Sequence, residues 1–229
     1  MAGRYAVIGL GRFGMSVAKK LALAGAEIIA IDIHIERVEE AQKLVGLALR
    51  MDATDEAALL DQEINKVDCA IVAVGVDFEA NALATVLLKQ IGVKRVISRA
   101  TSPVRGRILR LIGADEIISP EEESAATLAQ RIMHPTLVDY VELSEGHKLA
   151  QIKAPKAFHF RSLMDIDLRK KYEVNIIAIK KKTTEVTKDG QKVEIEKVND
   201  LPGPYDVIEP DDILFVVGSD ENIDMLLSE

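Results

Sequence analysis

Along the first half of the chain, short runs rich in Val, Ile and Ala alternate with longer stretches whose apolar residues recur every three to four positions. The runs are Tyr5–Ile8, Glu27–Asp32, Leu47–Arg50, Cys69–Val74, Arg95–Ser98 and Glu116–Ile118. This alternation predicts parallel strands joined by crossover helices, a doubly wound α/β arrangement. The first helical stretch, Gly14–Ala24, puts Val17, Leu21 and Ala24 on one face, with Gly25 placed to end it. Asn81–Ile91 and Val104–Leu111 predict two later helices, each followed by a glycine, Gly92 and Gly113.

The stretch Ser119-Pro120-Glu121-Glu122-Glu123 is a helix start. Ser119 can cap, Pro120 suits the first helical position, and Glu122 stands at capping-box spacing. The helix is expected to continue through Leu128 and Ile132 and to break at His134-Pro135, because proline cannot continue the backbone ladder. That break is the expected boundary between a domain of residues 1–136 and one of residues 137–229. Beyond it the βαβ rhythm stops. Leu149–Ile152, Val174–Ile179 and Ile213–Val217 read as strands, and Ser162–Tyr172 and Glu221–Leu227 as helices. The second part is therefore expected to be a smaller α+β C-terminal lobe. Polar Lys180–Pro204, with the turn signal Lys188-Asp189-Gly190, reads as an exposed hairpin or a mobile excursion.

Composition narrows the chemistry. Hydrophobic residues make up 48% and charged residues 29%, ample for a packed core, but aromatics are 4% and Trp is absent, so that core must be aliphatic. A formal charge of −8 argues against a nucleic-acid partner, which would demand a basic surface to displace counterions. Cys69 is the single cysteine, which excludes an intramolecular disulfide and a cysteine metal cluster. It reads as a small buried strand residue, with a reactive thiol as the alternative. With no charged leader and no apolar run long enough to span a bilayer, the chain is expected to be cytoplasmic, without direct membrane insertion. Any membrane connection would pass through a partner.

The strongest local signal is Gly9-Leu10-Gly11-Arg12-Phe13-Gly14, directly after a strand and directly before a helix. This is the dinucleotide fingerprint of a Rossmann-like fold. Gly9 makes the tight turn, Gly11 lets backbone approach a phosphate, and Gly14 lets helix pack on strand. The helix N-terminus then offers unpaired N–H groups to the phosphates. Asp32 closes the second strand, where a carboxylate accepts ribose hydroxyls and repels a 2′-phosphate. Arg12, between two glycines, reads either as a contact to a terminal phosphate or as an exposed loop arginine. Asp52 reads as a cap or turn acid, or as an adenosine contact at the cleft rim. Arg99 ends the fifth strand at the ligand-binding edge, where it could meet a phosphate or stay solvated. His34, His134, His147 and His159 are scattered, and no nucleophile elbow, Walker sequence or proton-transfer set accompanies them. The chain can bind a nucleotide; nothing indicates that it reacts one, so it is not read as an enzyme.

Taken together, AVIGLGRFGMSVAKKLALAGAEIIAID, MDATDEAALL, VDCAIVAVG, VISRA, IGADEIISPEEESA and EPDDILFVVGSDENIDMLL resemble the regulator-of-potassium-conductance (RCK) proteins. More narrowly, the chain is similar over nearly its whole length to the cytoplasmic subunits of Ktr and Trk potassium-uptake systems. The resemblance implies homodimers assembled into an octameric ring beneath a membrane-embedded potassium channel subunit. It also implies that ATP and ADP compete for the glycine cleft and that ATP favours the conducting state. Carried over by position, Gly9, Gly11 and Gly14, with Phe13 in the same loop, line the phosphates. Asp32 holds the ribose, Asp52 lies beside the adenosine, and Arg12 and Arg99 approach the polyphosphate, Arg12 across the dimer interface. Glu121 matches an acid that helps hold a divalent cation (Mg or Ca) in some members, although an acid in a first helical turn is also stabilised by the dipole alone. Two departures stand out. Relatives commonly have lysine where this chain has Arg99, and the Lys180–Pro204 excursion is long, so the cyclic di-AMP site of some relatives is not carried over. Two rivals remain: an NAD(H)-responsive binding module for another cation transporter, and a NAD-dependent oxidoreductase, since Asp32 suits NAD as well as ATP.

Overall fold

A computed structural model describes residues 3–186 and 192–229. The chain divides into two compact units, Met1–Glu123 and Ser124–Glu229.

The first unit is built on six parallel strands: β1 (Arg4–Ile8), β2 (Glu27–Asp32), β3 (Leu47–Arg50), β4 (Cys69–Val72), β5 (Val96–Arg99) and β6 (Glu116–Ile118). Their order in the sheet is β3-β2-β1-β4-β5-β6, so the strand direction of travel reverses between β1 and β4. A ligand crevice opens at such a switch point, outside the carboxyl ends of the strands. The crossovers are α1 (Arg12–Leu23), α2 (Ile35–Gln42), α3 (Glu56–Asp61), α4 (Phe78–Gln90) and α5 (Pro103–Leu111). Alternate residues of the central strands feed two separate cores. Ala6, Ile8, Ile29, Ile31, Ala70 and Val72 face α3 and α4, and Val7, Ile28, Ala30 and Ile71 pack with Ala18 of α1 and Val38 of α2. Burial on both faces explains why these strands read as continuous apolar runs.

The α/β strand pattern agrees with expectation to within two residues at each end. Helices α2 and α3 were not expected: α2 is short and charge-rich (IERVEEAQ) and lacks a side-chain cap, and α3 is six residues long. Helix α6 (Pro120–Met133) begins and ends where Ser119 and Pro135 predict. The carboxylate reaching back to the Ser119 N–H is that of Glu123, at 3.4 Å, instead of Glu122. The boundary between the compact units falls inside this helix.

The second unit is an antiparallel sheet of β7 (Leu137–Ser144), β8 (His147–Lys153), β9 (Asn175–Val186), β10 (Lys192–Asn199) and β11 (Ile213–Ser219), in the order β10-β9-β11-β8-β7. Helix α9 (Asp220–Leu227) closes it, capped by Ser219. The predicted Ser162–Tyr172 helix is two short helices, α7 (Leu163–Ile166) and α8 (Leu168–Lys171), because Asp167 between them takes the left-handed conformation (φ 49°, ψ 54°). The Lys180–Pro204 stretch is mostly hairpin: β9 pairs with β10 from Ile179↔Asn199 to Val186↔Lys192. The Lys188-Asp189-Gly190 turn signal lies outside the described residues. Phe158, Tyr172, Ile179, Leu214 and Ile223 form the core of this lobe.

Candidate functional site

The fingerprint glycines sit between β1 and α1, and each has a different physical reason to lack a side chain. Gly9 has φ +88°, and a Cβ there would also come within 2.9 Å of Val74. At Gly14 a Cβ would lie 1.9 Å from the Gly9 carbonyl oxygen, so strand and helix could not close. Gly11 is unlike both. Its backbone is extended (φ −65°, ψ −177°), and a Cβ would meet nothing within 4 Å. Among the described residues nothing requires glycine at position 11, so the space it leaves is open to a ligand. Helix α1 starts on Gly11 with no side-chain cap and no acid in its first turn. Its N–H groups and positive dipole end are therefore available to an anion. Arg12 occupies this same turn, exposed, and among the described residues its side chain has no hydrogen-bonding or ionic partner. A cation at the positive end of a helix is unfavourable by itself and becomes favourable once an anion joins it.

Asp32, 5% exposed, stands at the carboxyl end of β2. Its Oδ2 accepts from Leu10 N at 2.7 Å and from Arg37 Nη1 at 3.2 Å, and Oδ1 accepts from His34 N at 2.9 Å. The carboxylate thus ties the glycine loop to the β2 edge. Arg37, in the first turn of α2, was not singled out from the sequence, although its spacing from Asp32 places it on the near end of that helix. Met51 N donates to Asp32 O at 3.0 Å, which brings the following Asp52 to the same edge. There Asp52 accepts from Thr54 N (2.9 Å) and Thr54 Oγ1 (2.7 Å), a turn acid; the cap of α3 is Asp55.

On the other side of the switch point, the Arg99 side chain is only 17% exposed, so the solvated reading fails. Its guanidinium lies 5.7 Å from the Phe13 ring centroid and pairs with Glu121. Gly75 makes room for it: a Cβ there would sit 2.8 Å from Arg99 Nη1. The amide of Asn81, fully buried in α4, donates to Val74 O (2.6 Å) and Arg99 O (3.0 Å), clamping the ends of β4 and β5 together. Thr85 and Ser98 extend this network through a 2.8 Å hydroxyl contact. Its trace in the sequence was Asn81 on the apolar face of α4, among Ala84, Leu87 and Leu88.

Glu121, 63% exposed, is held below the ordinary carboxylate range first by its own backbone N–H; desolvation opposes this and Arg99 adds to it. Among the described residues no group of three or more His, Cys, Asp or Glu could hold a metal ion. Glu121, already paired with Arg99, does not form a cation site with its protein neighbours. Cys69 is buried and its thiol is pushed up by desolvation, which favours the strand reading over a reactive thiol. No described helix is long and apolar enough to cross a membrane.

A doubly wound sheet with an open glycine loop at its switch point, followed by an antiparallel lobe, defines a Rossmann-like module joined to a second unit. Residues 5–120 match the TrkA-N domain and residues 148–229 the TrkA-C domain. The chain is 38% identical over 219 residues to Ktr system potassium uptake protein C of Bacillus subtilis, covering 96% of this chain and 93% of that protein. It is 31% identical over 220 residues to Ktr system potassium uptake protein A of the same organism, covering 96% and 93%. The RCK domain of GsuK superposes with a TM-score of 0.63 at 15% identity, covering all of this chain and 47% of that one, which establishes the shared fold. The chain belongs to the TrkA-N/TrkA-C family, together with the Ktr system potassium uptake proteins. Its Ktr relatives are named as potassium-uptake proteins and not as enzymes.

Proposed function

We propose that this chain binds ATP and ADP in the Gly9–Gly14 cradle and, according to which is bound, changes the shape of a ring that gates a membrane-embedded potassium channel subunit. The observation that carries the reading is Gly11, a glycine that neither backbone angle nor packing demands, opening beside an uncapped helix N-terminus and the unpartnered Arg12. Asp32, at the end of β2, is the residue assigned to the ribose, whose hydroxyls would add to or replace the donors it already accepts from Leu10, His34 and Arg37, and Arg99 stands across the switch point beside Phe13 of the loop. No bond need be made or broken. ATP carries one phosphate more than ADP, and only a group that contacts the two differently can shift a two-state assembly. Arg12, reaching a phosphate of the neighbouring subunit in a homodimer of the ring, is that group in this proposal.

Calorimetric titration of the purified chain with ATP, ADP and NADH, with and without magnesium, tests it. Tight ATP and ADP binding with weaker NADH binding supports the reading. Tight NADH binding with negligible ATP binding replaces it with a redox-responsive module. A gain in ATP affinity with magnesium that Glu121→Gln abolishes would support a cation held between Glu121 and the phosphates. Arg12→Ala is expected to reduce ATP/ADP discrimination by about tenfold, the worth of one charge-assisted hydrogen bond. Unchanged discrimination would remove Arg12 from its role.

A further inference from the structure

Resting on that reading of the cradle, we propose that Glu121 is an internal competitor for Arg99. In this view a nucleotide's phosphates take the guanidinium over, and the Glu121 carboxylate is released on the first turn of α6.

The two partners of this ion pair are unequally placed. Arg99 is mostly buried, and Glu121 is mostly exposed. Buried Nε of Arg99 has no hydrogen-bond acceptor, so the pair with Glu121 leaves part of the guanidinium's donor capacity unused. The arginine is held at its backbone and has a ring contact at its head. Its backbone oxygen is held by Asn81, its guanidinium lies over the Phe13 ring, and Gly75 leaves room for it. Glu121 can exchange its partner for water at little cost, whereas Arg99 cannot. When the pair opens, the carboxylate is therefore the partner that leaves.

Phe13 and Gly75 place the guanidinium beside the phosphate loop. A phosphate offers the planar fork several acceptor oxygens and more charge than a carboxylate does. After the exchange, Glu121 remains at the positive end of α6, where a free carboxylate is still stabilised. Helix α6 begins in the first unit and carries the chain across the unit boundary at Glu123/Ser124. The exchange thus changes the charge at the start of the one helix shared by both units. It needs no metal ion and is separate from any role of Glu121 toward a cation.

The test is a double-mutant cycle on the full chain, titrated with ADP in EDTA. Glu121→Gln removes the competitor and is expected to tighten ADP about two- to fivefold, the scale of a partly exposed ion pair. In an Arg99→Ala background, Glu121→Gln is expected to leave the weakened ADP affinity unchanged. Unaltered ADP affinity in Glu121→Gln alone overturns the proposal. Equal tightening with and without Arg99 also overturns it, because that would be simple removal of a nearby negative charge. A wild-type chain that binds neither ADP nor ATP would instead fail the cradle reading, and the competition would fall with it.

Discussion

At the scale of single residues, two glycines three positions apart make opposite demands. A methyl at position 14 would overlap a backbone oxygen of the tight Gly9 turn, and neither partner can move without opening the strand–helix joint. Gly14→Ala is therefore expected to cost at least about 3 kcal/mol, measured by urea or thermal unfolding. A methyl at position 11 meets only open space. Gly11→Ala should change stability by less than about 1 kcal/mol and yet weaken ADP by at least about tenfold, because the methyl fills the path of the phosphate. A Gly11→Ala chain that binds ADP as well as the parent would mean that phosphates do not approach there. The turn at Gly9 and the close helix–strand contact at Gly14 were legible in the sequence, since each is local to one turn, whereas the bond from Leu10 N to Asp32 was not. The Arg99–Glu121 pair was not legible as a pair. Its members are 22 residues apart on different elements, and only the β5–β6 register brings them together.

At the scale of elements, the carboxylate that joins neighbouring strands is informative. Asp115, just before β6, accepts from Val96 N at 2.7 Å and from Lys89 Nζ at 2.9 Å, so it ties β5 and α4 to the sheet edge. Its carboxyl lies below the usual range, first because of the Val96 N–H; desolvation works against this and Lys89 assists. A depressed folded-state pKa means that the stabilisation is fully present above the unfolded pKa, about 3.9, and is lost as pH falls through the lower folded value. Asp115→Asn should accordingly melt below the parent at neutral pH, with the gap closing below about pH 4. A gap that stays constant with pH would show that the carboxylate's charge is not what holds the edge. Elements that announce themselves by an unbroken apolar run, such as β2 and β4, were readable from sequence. The ones missed lack that signal. Half of the residues of helix α2 are charged, and α7 and α8 part at an aspartate whose left-handed backbone no neighbouring residue foretells; β9 runs past Ile179 into a lysine-rich stretch, inside the hairpin that was one of the two readings of Lys180–Pro204.

At the scale of the molecule, each unit carries its own buried core, aliphatic in the first and including Phe158 and Tyr172 in the second. Every residue proposed to touch the nucleotide, from Gly9 to Glu121, belongs to the first unit. A ligand that binds only folded protein stabilises it by about 2.7 kcal/mol when present at about a hundred times its Kd. For a unit of this size that corresponds to an upward shift on the order of 10 °C. Differential scanning calorimetry with saturating ADP is expected to move the transition of the first unit by that amount and to leave the second in place. If both moved together, the units would unfold as one cooperative block, and a nucleotide would act on the whole chain through stability alone. If only the first moves, the two units unfold independently, and under the proposed function any effect of the nucleotide on the second would have to arise outside that cooperative unfolding. The proposed gating would require that ATP and ADP differ in what they do to the proposed ring, because equal stabilisation by both would shift no equilibrium between two states.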